Sequence, residues 1–129
     1  MSPSKVKLFL GIMWLVSGAL KFLSIIAEEI TGKAMISASF QVFAKMCVLP
    51  FYTDIIITYF IPAAASFMFL AGLSEVIVGS LILRSRNLVK VGLALGIGMN
   101  IVFAPLGGIY TIIINIPLII AQAWLWKRV

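Results

Sequence analysis

Apolar residues run along the chain in four long blocks, separated by short polar breaks. Block length, more than any alternation, sets the expected structure. A helix that crosses the hydrocarbon layer of a membrane needs about 20 mainly apolar residues, within a range of about 17–25. Residues 6–27, 61–83, 88–104 and 108–126 meet that requirement. The predicted fold is all-α: an integral membrane four-helix bundle forming a single transmembrane domain over residues 1–129.

The breaks differ in character. Arg84-Ser85-Arg86-Asn87 and Pro105-Leu106-Gly107-Gly108 read as tight turns between antiparallel neighbours, whereas residues 28–60 form a long outer connection between helices 1 and 2. Within that connection Ile36, Phe40, Phe43 and Cys47 recur at helical spacing, opposite Ser37, Gln41 and Lys45. This predicts a short amphipathic helix on the outer surface, or capping the bundle. Pro50 is expected to end it, and Pro62 to open the second span as a first-turn proline. Phe51, Tyr52, Tyr59, Phe60 and Phe67 crowd this end of the chain. They read either as an interfacial aromatic belt or as the walls of a lipid- or quinone-sized groove.

Composition sharpens the class. The chain has 129 residues, of which 63% are hydrophobic and 11% charged. Its mean hydropathy is +1.19. Soluble domains average about 45–50% apolar and about 25% charged, so a water-soluble globule is excluded. Without His there is no imidazole to ligate a metal or haem, or to serve a nucleophile as base. Cys47 is the only cysteine, and Glu28, Glu29, Asp54 and Glu75 are too scattered for a carboxylate cage. No resident metal or flavin is therefore expected, and no glycine-rich phosphate loop is present.

The net charge of +6 reads as membrane topology before it reads as nucleic-acid binding. With four spans, Lys5, Lys7, Arg84, Arg86, Lys90, Lys127 and Arg128 share one side, unaccompanied by acids. The other side carries Lys33 and Lys45 against Glu28, Glu29 and Asp54. The positive-inside rule then places both termini in the cytoplasm of a plasma-membrane protein, with Trp124 and Trp126 in an interfacial belt. Lys5 and Lys7 ahead of an apolar run imitate a signal peptide, but Lys21 interrupts that run, and a retained helix is expected.

A charged residue at the centre of a membrane helix costs about 2.5–3.5 kcal/mol on insertion scales, which makes Lys21 and Glu75 the residues that need a reason. At about 1.5 Å per residue, Lys21 lies about 22 Å from the cytoplasmic start of its span, and Glu75 about 12 Å from the cytoplasmic end of the next. The offset of about 10 Å is near the combined reach of the two side chains, so pairing and separation both stay open. Asn100 and Asn115 fall mid-depth on the third and fourth spans, which gives each helix one strongly polar group. Pro117 frees the Ile113 carbonyl, for which the two asparagine amides are candidate donors. The four groups read as helix-to-helix glue, or as a polar centre able to hold a quinone head group or carry protons. Ser17, Gly18, Gly72, Gly79, Gly92, Gly96 and Gly98 are expected on packing faces, within the chain or between subunits.

Leu15-Val16-Ser17-Gly18-Ala19-Leu20-Lys21-Phe22 resembles the first-helix pattern of the DoxX-like family of small four-helix membrane proteins. Gly72-Leu73-Ser74-Glu75-Val76-Ile77-Val78-Gly79 is similar to that family's second-helix pattern. The resemblance implies that Lys21 and Glu75 correspond to an intramembrane charged pair, and Gly18, Gly72 and Gly79 to packing glycines. It also implies a functionally mixed background, which includes membrane subunits of quinone-linked oxidoreductases and assembly factors. The absence of a second Cys departs from members that move disulfides.

Three functions follow as expectations. The first is a subunit of a quinone-linked redox complex, contributing the polar centre while a partner performs the electron chemistry. The second is a structural or assembly subunit that docks another membrane protein, or its own copies, through glycine faces and the outer helix. The third is a small proton-coupled transporter, although there the membrane Glu is typically on the first helix. The bilayer is a partner in all three, and nucleic acid in none.

Overall fold

The computed structural model describes residues 2–129, the Arg86 side chain excepted. All its regular structure is helical: α1 (Pro3–Thr31), α2 (Met35–Met46), α3 (Pro50–Ile55), α4 (Ala64–Ile82), α5 (Arg86–Phe103) and α6 (Gly108–Trp126). Among the described residues α1, α4 and α6 are long and apolar enough to cross a membrane. The apolar part of α5, Asn87–Phe103, is shorter.

α1 begins with Pro3 in its first turn and stops at Gly32, whose φ of 67° is the left-handed cap that a side chain disfavours. The Gly32 N–H donates to the Glu28 carbonyl at 2.9 Å. At 29 residues, α1 is about 44 Å long and extends past the predicted span at both ends. α2 follows at once and matches the amphipathic expectation, with Ile36 and Phe40 buried. The first turn of a helix has free N–H groups, and Glu28 meets one of them by accepting from the Ile36 N–H at 2.9 Å.

Both prolines of the connection act differently from expectation. α2 ends at Met46, before Pro50, and Pro50 opens α3. Proline suits a first helical turn, where its missing N–H is not needed. α3 runs into one wide turn, Ile56–Phe60, closed by the Ile61 N–H on the Ile56 carbonyl at 2.9 Å. This five-residue ring is a π-type turn. Pro62 lies in the break that follows, and α4 starts two residues later than a first-turn proline would place it.

The long helices pack in chain order, α1 on α4, α4 on α5 and α5 on α6, while the junction of α6 with α1 is slight. Glycines set the registers. A Cβ on Gly18 would stand 2.7 Å from the Gly72 carbonyl oxygen, and one on Gly79 would stand 2.8 Å from that of Gly11. α1 and α4 therefore run antiparallel with their backbones in contact, at glycines seven residues apart on each helix. Gly92 meets the Ile82 backbone and Gly96 the Val78 side chain, which sets α5 antiparallel to α4. Gly98, expected on a packing face, looks onto open space. Both termini and the α4–α5 turn lie at one end, where Lys7 Nζ donates to the Arg84 carbonyl at 2.6 Å. A buried cluster around Leu10, Trp14, Val78, Leu93 and Leu125 fills the terminal half. A second, around Ile36, Phe40, Ile56 and Leu106, lies under α2.

Candidate functional site

The close approach of α1 and α4 decides what Lys21 and Glu75 can do. Glu75 lies on α4 between Gly72 and Gly79, on the face that touches α1, and is only 3% exposed. Lys21 is one turn beyond Gly18 on α1. With both backbones bare at the Gly18–Gly72 crossing, the lysine reaches the carboxylate across the seam, and Nζ stands 2.8 Å from each oxygen. Ser17 closes the group. Its hydroxyl donates to Glu75 Oε2 at 3.1 Å and accepts from Lys21 Nζ at 3.3 Å. The cluster is neutral overall and internally bonded, which is the condition under which a buried charge is tolerated.

Its two ends differ in access. The carboxylate is closed in, whereas 27% of the Lys21 side chain stays exposed. That exposed part faces a cavity of about 660 Å³ between α1, α2, α4 and the α5–α6 corner. Phe40 and Phe43 of α2, Phe67 of α4 and Phe103 of α5 supply aromatic walls, and Lys21 with the hydroxyls of Ser17, Ser24, Ser39, Ser74 and Thr111 supplies polar groups. Phe60 stacks on Phe67 at 4.4 Å between ring centroids and on Phe40 at 5.8 Å, which ties the α3–α4 connection to α2. The volume and the ratio of apolar wall to few polar groups are those of a small-molecule site.

The two asparagines stand apart from this group. Asn115 donates from Nδ2 to the Thr111 carbonyl of its own helix at 2.7 Å, and not to the carbonyl freed by Pro117. Asn100 is buried, and its Nδ2 has no hydrogen-bond partner among the described residues. The lysine and the carboxylate meet; the asparagines add no bond to them. Comparison of the chain with family models, with curated proteins and with solved structures returned no match. The site is read from its own geometry.

Sequence reasoning passed over Gln122 and Gly11. Gln122 is fully buried on α6 against Gly96, and Gly11 carries half of the lower α1–α4 contact. Both had a signal in seven-residue spacing, from Asn115 to Gln122 and from Gly11 to Gly18. Ser17 was seen only as a small residue; its place four before Lys21 puts both on one helix face. Among the described residues no group of three or more His, Cys, Asp and Glu is placed to hold a metal.

Proposed function

We propose that this chain is a small integral membrane subunit of a quinone-linked redox complex, a four-helix bundle in the plasma membrane with both termini cytoplasmic. Its cavity receives a quinone head group from the lipid phase. The observation that carries this reading is the aromatic-walled cavity of about 660 Å³ with the Lys21 ammonium at its edge, held by Glu75. Quinone carbonyl oxygens accept hydrogen bonds, and the Lys21 ammonium is the charged donor that lines the space, the Ser17 proton being held by Glu75. The aromatic side chains suit a flat ring, and the slight α6–α1 junction suits lateral entry from lipid. Bound there, a quinone supplies two-electron carrier chemistry, and a partner subunit supplies the electrons. The resemblance of the Lys21 and Glu75 segments to DoxX-like proteins agrees with this reading.

The test is photolabelling of the purified protein with a short-chain azidoquinone, followed by peptide mapping. The expected result is labelling of the α2 and α4 walls, displaced by unlabelled quinone and lost in Lys21→Met. Labelling spread over the outer surface of α1 and α6, and not displaced, overturns the reading. Native mass spectrometry of protein from its own membranes adds the partner, since an oxidoreductase subunit is expected to be released with it. An assembly subunit would instead bring the protein it docks, and carry only phospholipid.

A further inference from the structure

Three buried polar atoms lie outside the Lys21–Glu75 group and outside the cavity. The Trp14 Nε1–H, the Asn100 Nδ2–H and the Gln122 carbonyl oxygen have no hydrogen-bond partner among the described residues. Their residues are 3%, 3% and 0% exposed. Leaving such groups dry is costly anywhere in a protein, and most buried polar atoms are paired.

The three come from different helices, and the glycine registers put them at one level. Gly18 opposite Gly72 and Gly11 opposite Gly79 set Trp14 beside position 76 of α4. Gly96 stands against both Val78 of α4 and Gln122 of α6, and Asn100 lies one turn along α5 from it. All three therefore fall within about 6 Å of depth, at the height of Glu75. They also share the inward faces. Trp14, Leu93 and Leu125 belong to one buried cluster; Asn100 is two turns from Leu93, and Gln122 one turn from Leu125.

None of the three bonds to another, although the Gln122 oxygen has lone pairs for both donors. They complement a molecule that accepts twice and donates at least once. We infer that Trp14, Asn100 and Gln122 form a buried water-binding site in the middle of the helix array. Trp14, Asn100 and Gln122 carry no charge, and both Glu75 oxygens at their level are already held, so a neutral ligand is called for. The Gln122 amide nitrogen is committed to the Leu118 carbonyl at 3.1 Å, which fixes its oxygen as the free acceptor. Gly96 has no side chain where that oxygen lies, and a Cβ there would fall on it. A bound water typically makes about three hydrogen bonds, the number available here.

The experiment is X-ray hydroxyl-radical footprinting of the full chain in detergent, because a water held beside a buried side chain is radiolysed in place and marks it. Trp14 is expected to be oxidised within about tenfold of the exposed Trp126, and Gln122→Leu is expected to lower the Trp14 signal by about fivefold or more while leaving Trp126 unchanged. Trp14 oxidation at background in the unaltered protein overturns the inference, whether or not the variant folds. Equal oxidation of Trp14 in a folded Gln122→Leu protein also overturns it. Quinone binding plays no part in this readout.

Discussion

Lys21 and Glu75 are each expensive alone and tolerable together, so their cost shows when one is removed. Lys21→Ala strands a buried carboxylate and is expected to cost about 3 kcal/mol, the lower end for a broken buried pair because the lysine is partly exposed. Lys21→Ala with Glu75→Gln removes the stranded charge and should recover a good part of that loss in thermal unfolding; equal losses would mean that the unpaired carboxylate carries no penalty. The glycines make a second contrast. Gly79→Ala puts a methyl group 2.8 Å from the Gly11 carbonyl oxygen and 2.9 Å from the Leu15 nitrogen, both backbone atoms. The helices must part, at about 1–3 kcal/mol. Gly98→Ala meets nothing within 4 Å, and should be neutral or stabilising by up to about 1 kcal/mol through helix propensity. Two melting curves check both expectations.

At the level of elements, α2 is held by its apolar face and by one carboxylate from the preceding helix. Glu28→Ala removes the acceptor for the Ile36 N–H and is expected to loosen the start of α2 by about 1 kcal/mol, seen as faster hydrogen exchange at residues 35–38 with α4 unchanged. The amphipathic pattern of α2 was legible because burial on one side leaves a regular trace in sequence. α3 and its wide turn were not, since a π-type turn breaks the spacing of three and four on which such reading depends. Pro50 was legible as a boundary but not as to which side of it the helix lies, because proline both follows helices and starts them. The same limit governs the polar residues. Lys21 and Glu75 stood out by charge alone, whereas pairing them required the crossing of Gly18 with Gly72, a property of two helices at once. Gln122 hid among aliphatic neighbours, and the partner of Asn115 could not be read, because an amide that bonds back to its own helix looks the same in sequence as one that reaches across.

The whole molecule is an uneven array, closed tightly along three junctions and lightly along the fourth, with cations gathered at the end that holds both termini. At that end Arg128 stacks on Trp124 at 4.4 Å and Lys90 on Trp126 at 5.3 Å. If that end faces the cytoplasm, Val129→Cys in a Cys47→Ser background should resist a membrane-impermeant maleimide in intact cells and react once they are permeabilised; reaction in intact cells would reverse the orientation. The seam between α1 and α4 also reaches into the making of the protein. Lys21 and Glu75 are 54 positions apart, so at about 5–20 residues per second a ribosome delivers the lysine roughly 3–11 s before its counter-ion exists. For that interval the first helix enters the bilayer with a naked charge, and something other than Glu75 must shelter it. Nascent chains stalled before α4 are thus expected to remain bound to the insertion machinery, while chains extended through Glu75 and clear of the exit tunnel are released into lipid.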